Sequence, residues 1–106
     1  MDKKEEALSK FRNPYSCAQT IWAAFGDTDE GHLANMKENS GGRAPDNMCG
    51  ALYAALRILP QDRQAEAVAI FTQKAGSTKC LEIKTKFKTP CPRCVEIAAE
   101  ILSKSE

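Results

Sequence analysis

Apolar residues recur at helical rather than strand spacing over most of this chain. Ala18, Ile21, Trp22 and Phe25 fall at i, i+3, i+4 and i+7 behind Asn13-Pro14, a cap followed by a proline suited to a first helical turn. That helix should end at Gly26. A weaker one follows over 30–38, capped by Thr28 or Asp29, with Leu33, Ala34 and Met36 as a thin apolar face. Pro45 opens a third over 46–59, where Cys49, Leu52, Leu56 and Leu59 make a stripe beside Ala51 and Ala55, and Pro60 breaks it. The fourth covers 61–75, with Ala67, Ile70, Phe71 and Lys74 on one side and Gly76 just past its end. Thr89-Pro90 precedes the last, over 91–104, whose stripe is Cys91, Cys94, Val95, Ala98, Ile101 and Leu102. Residues 2–11 fit a short polar helix, so that 1–12 would lie at the periphery. Between the fourth and last helices, CLEIKTKF alternates as a strand does. A lone strand has no partner, so the segment reads as a helix or loop capped by Ser77 or Thr78.

Five or so helices in 106 residues imply one domain, 1–106, folded as an all-α, up-and-down bundle of about four to six helices. Fifteen basic against fourteen acidic residues leave a net charge of +1, too little to hold nucleic acid or an anionic membrane surface. No apolar run approaches the roughly 20 residues that span a bilayer. The opening MDKKEEALSKF has no apolar core of a signal peptide, so the expectation is a cytoplasmic protein. In that compartment cysteines more often mean redox chemistry, catalysis or metal binding than structural disulfides, and an odd count of five argues against a fully paired framework.

Each cysteine falls near the start of an expected helix. Cys17 and Cys49 lie about one turn in, Cys80 follows a cap by two or three residues, and Cys91 and Cys94 share the first turn of the last helix. Helix starts carry partial positive charge and unpaired N–H groups, which favour thiolate. Short connections make successive helices antiparallel, and alternating directions would bring all five thiols to one end of the bundle. Cys91-Pro92-Arg93-Cys94 is a C-x-x-C pair, with an exposed first thiol, a shielded second and the charge of Arg93 beside them. It lacks the βαβ setting of thioredoxin-like motifs.

The arrangement resembles the redox-active protein family named for its C_GCAxxG_C_C pattern. The residues that carry the resemblance are Cys17-Ala18-Gln19, Gly41-Gly42, Cys49-Gly50-Ala51-Leu52-Tyr53-Ala54, Phe71 with Lys74-Ala75-Gly76-Ser77 and Cys80, and Cys91-x-x-Cys94-Val95. They span 13 to about 102. The chain departs from the pattern where Gly50 follows Cys49 instead of preceding it, and where Ala54 replaces the motif's last glycine. The resemblance implies a small helical protein with redox activity.

The favoured expectation is a thiol–disulfide oxidoreductase. Cys91 attacks, Cys94 resolves, and Cys17, Cys49 and Cys80 supply a second pair or a relay. Its partner is a redox protein or small thiol, with no nucleic acid, no membrane and no required cofactor. A second reading places zinc or an iron–sulfur cluster on Cys17, Cys49, Cys80, Cys91 and Cys94, although zinc signatures usually carry two C-x-x-C knuckles. A third treats the thiols as core packing. His32, the only histidine, reads as exposed and idle. Asp27, Asp29 and Glu30 read as a solvated helix start, Gly41-Gly42-Arg43 as a connector, and Trp22, Phe25, Tyr53 and Phe71 as core aromatics.

Overall fold

The computed structural model describes residues 8, 15–27, 29–40, 44, 47–89 and 91–105, with the side chains of Cys91 and Ser105 outside that description. Among them are six helices: α1 (Cys17–Phe25), α2 (Glu30–Glu38), α3 (Gly50–Ile58), α4 (Gln61–Ala75), α5 (Cys80–Thr85) and α6 (Cys91–Ser105). The result is a small all-α bundle, as the periodicity implied. The connector 41–43 and the polar segment 2–11, Leu8 excepted, lie outside the described residues.

Two helices match their expected spans, α2 over 30–38 and α4 over 61–75. The starts of α1 and α3 differ. Ser16 rather than Asn13 caps α1: its hydroxyl accepts the Gln19 amide at 3.3 Å, and the Gln19 side chain accepts the Ser16 amide at 3.0 Å. This reciprocal box satisfies two otherwise orphaned donors. Cys17 is thus the first helical residue and not a turn in. Similarly, α3 starts at Gly50 with Cys49 as its cap residue. Asn47, at φ 60°, turns the chain just before, and Met48 is extended, pairing with Lys79 in an isolated antiparallel bridge. The strand-like alternation in CLEIKTKF resolves as the short helix α5, with the extended residue immediately ahead of it.

The centre of the bundle is α1, α3 and α6, each against the other two. α2 covers α1, and α4 lies mainly on α6. The core side chains are Ala18 and Ile21 from α1, Ala51, Leu52, Ala54 and Ala55 from α3, and Val95, Ile97, Ala98, Ala99 and Leu102 from α6. So many alanines let the three axes approach closely. Ala67, Phe71 and Ala75 bury the inner side of α4. Some expected core positions are looser: Ala34 and Lys74 are exposed, and Trp22, Phe25, Tyr53, Leu56 and Ile70 are half-buried.

Gly50 sits where α1, α3 and the end of α2 converge. A methyl group on its Cα would lie 2.7 Å from Cys17 Sγ and 2.9 Å from Ser40 Cα. The backbone Cα of Ser40 cannot swing aside as a side-chain tip can. Ser40 is itself tied to α1 by a 2.8 Å hydroxyl contact with Ser16, and its hydroxyl is 2.9 Å from the Met36 carbonyl. Gly50→Ala should therefore destabilise the fold by about 1–3 kcal/mol, the range for overpacking a filled site. Urea unfolding followed by circular dichroism measures it, and an unchanged midpoint would contradict the close approach.

Candidate thiol site

Four cysteines from four helix starts line one pocket. Cys17, Cys49, Cys80 and Cys94 share its wall with Ile83, Lys84 and Thr89, around a cavity of about 20 Å³. That is room for roughly one water-sized body. Local sequence explains why each sulfur arrives there. The Ser16–Gln19 box fixes the first turn of α1 and with it Cys17. The bridge between Met48 and Lys79, reinforced by the Cys49 amide donating to the Thr78 carbonyl at 2.8 Å, sets the residues before α3 and α5 side by side. Cys49 and Cys80 each follow their bridge residue directly, so one contact delivers both. Ser77 accepts the Lys79 amide at 3.1 Å and donates to Glu82 at 2.7 Å, fixing the entry to α5. Cys94 enters from the first turn of α6. The wall beside Thr89 is held by its amide donating to the Ile83 carbonyl at 3.1 Å and by its hydroxyl donating to the Ala75 carbonyl at 3.1 Å.

The sulfurs are not equivalent. Cys49, Cys80 and Cys94 are buried, and Cys17 is half-buried. All four are thiols rather than disulfide partners. The Cys49 thiol is in hydrogen-bond contact with Cys94. That contact, then burial, then the charge a Cys94 thiolate would carry, push the Cys49 pKa well above its usual range. The Ala51 and Leu52 amides at the start of α3 pull weakly the other way, without forming a regular cap bond. The helix-start environment thus loses to desolvation and to the neighbouring sulfur at this position, contrary to the expectation of a lowered pKa.

Arg93 does not serve the pocket. Its guanidinium pairs with Glu96 and reaches Glu100 at 3.5 Å, along the outer side of α6. The charged residue that contributes to the pocket lining is Lys84, exposed and one turn after Cys80, whose apolar stem forms part of the wall and which sequence reading passed over. Its i+4 spacing from Cys80 was the available signal. α6 begins at Cys91, so its backbone lies at the same helix start as Cys94, while its side chain lies outside the described residues. Among the described residues, no group of three or more His, Cys, Asp or Glu side chains stands in metal-holding geometry. None of the described helices is long and apolar enough to cross a membrane. No family model matches the chain, and no curated protein or solved structure matches it.

His32 is exposed, as expected, but it has partners. Its Nδ1 lies 2.9 Å from Asp27 Oδ2, its ring meets Trp22 edge-on with centroids 5.6 Å apart, and Trp22 Nε1 donates to Asp27 at 2.9 Å. This clasp closes the loop between α1 and α2, where Asp29 caps α2 through the Gly31 and His32 amides. The Trp22 and His32 hydrogen bonds hold Asp27 below its usual 3.8. The Asp27 hydrogen bond holds His32 above its usual 6.5. Stabilisation through His32 is complete below about pH 6.5 and fades as pH rises through the raised folded value. The Asp27 share is complete above 3.8 and fades as pH falls through its lowered value.

Two outcomes follow. Emission from Trp22, the single tryptophan, should titrate with a midpoint above 6.5, and His32→Ala should abolish that titration. A flat wild-type profile would contradict the clasp. In alkylation mapped by mass spectrometry at pH 8, Cys17 should label first among Cys17, Cys49, Cys80 and Cys94, with Cys49 more than about tenfold slower. Equal rates would show that burial and the Cys94 contact do not control Cys49.

Proposed function

We propose that this protein is a cytoplasmic thiol–disulfide redox protein whose exchanging disulfide forms on Cys94. The observation that carries the reading is the gathering of Cys17, Cys49, Cys80 and Cys94 at one pocket, with Cys49 and Cys94 in direct contact. The four cysteines are far apart in sequence, from 17 to 94, and the fold brings them to the lining of one pocket. The five-cysteine resemblance noted in the sequence points to the same chemistry.

In this reading Cys91, first residue of α6, is the attacking thiol, and the buried Cys94 is the resolving one. A Cys91 thiolate attacks a disulfide RSSR, forming a Cys91–SR mixed disulfide and releasing RS⁻. Cys94, deprotonated, then displaces the second RS⁻ and closes Cys91–Cys94. Cys49, already against Cys94, can take the bond inward once it gives up its proton, its thiolate attacking the Cys94 sulfur and returning Cys91 as thiolate, which takes up a proton in turn. The net change is two thiols oxidised and one external disulfide reduced to two thiols, with no cofactor. The partner is a redox protein or a small thiol. The cytoplasm supplies such partners and keeps dithiols cycling.

The test is equilibration in glutathione redox buffers, followed by acid quenching, alkylation and peptide mapping. One two-electron couple should appear, with the bond at Cys94 to either Cys91 or Cys49. Cys94→Ser should remove it and Cys80→Ser should not. Five thiols persisting across the whole range of buffers would overturn the redox reading.

A further inference from the structure

The contact pair at the floor of the thiol pocket has a second chemistry that moves no electrons. Two sulfurs already in hydrogen-bond contact need little rearrangement to hold an ion between them. The pocket has room for about one water-sized body, which suits a single ion. Zinc wants four ligands in a tetrahedron. The described residues offer no group of three or more donors in such a geometry. A two-sulfur site in an apolar pocket instead suits a soft, singly charged metal ion, which thiolate ligands select.

We propose that Cys49 and Cys94 form a two-sulfur site for one soft monovalent d¹⁰ cation of the copper(I) type. Binding replaces two thiol protons: two S–H bonds break, two sulfur–metal bonds form, two protons leave, and no oxidation state changes. The bound unit carries one negative charge. The start of α3 at Cys49 and the first turn of α6 at Cys94 lie where they offset that charge. Cys17 and Cys80 complete the sulfur-lined wall without ligating. The site is independent of the redox reading, since it is measured with every thiol reduced and needs no disulfide couple.

The test uses the full chain, reduced and anaerobic, with copper(I) as the probe and bicinchoninate as competitor. Wild-type protein should retain one equivalent. Loss of outer-shell partners alone costs metal sites about 10–100-fold in affinity, so Cys49→Ser and Cys94→Ser should each cost roughly 100-fold or more. Cys80→Ser should cost less than about tenfold by the same measure. Circular dichroism establishes that each variant is folded. Copper X-ray absorption on the wild type, which needs no variant, should find two sulfur neighbours. Three or four sulfurs at the metal would overturn the site, as would wild-type affinity in a folded Cys49→Ser or Cys94→Ser chain.

Discussion

The architecture depends on how closely α1, α3 and the end of α2 approach one another at Gly50. There the absence of a side chain lets Cys17 Sγ and the Ser40 backbone press against the start of α3. The alanines along α3 and α6 extend the same close spacing into the core. Once that junction is set, the short bridge from Met48 to Lys79 is enough to bring α5 alongside, because both residues directly precede a cysteine. The pocket is thus a product of backbone approach first and side-chain chemistry second.

Burial and polarity are in tension at this pocket. Helix starts favour negative charge, and each described cysteine sits at or within the first turn of one. Yet Cys49 is pushed towards its neutral form by its sulfur neighbour and by loss of water. The arrangement therefore holds the proton on Cys49 and leaves Cys17 as the described sulfur with most access to solvent. Both chemistries argued above, disulfide transfer to Cys49 and soft-metal binding, begin by removing that proton.

Much of this was legible in the sequence. Helical spacing with proline and glycine punctuation gave α2 and α4 at their observed bounds, and of the five thiols that the alternating-direction argument brought to one end, Cys17, Cys49, Cys80 and Cys94 share a pocket, while the side chain of Cys91 lies outside the described residues. The pair in contact was not legible, because Cys49 and Cys94 are separated by α3, α4 and α5. The C-x-x-C spacing drew attention to Cys91 instead. The starts of α1 and α3 were misplaced because prolines at 14 and 45 looked like first-turn residues, while the Ser16–Gln19 box and the turn at Asn47 set the actual boundaries. His32 looked idle because its partner Asp27 lies beyond the start of its own helix, and loop closure brings them together.

The six-residue α5 has no extensive packing against any other helix, and Leu81 on it and Phe87 two residues past its end are exposed at 70% and 51%. Phe87 does fold back over Gly76, whose left-handed φ of 101° leaves no space for a β-carbon beneath the ring. The wall of the pocket that carries Cys80 is a short segment pinned to the core at its middle by Ile83, 1% exposed, and tied at its entry by the Met48–Lys79 bridge. Local opening costs least where packing is thinnest. Access for a bulky reactant to the inner sulfurs along this side therefore requires Ile83 to leave the core, so the segment's opening is set by one buried side chain.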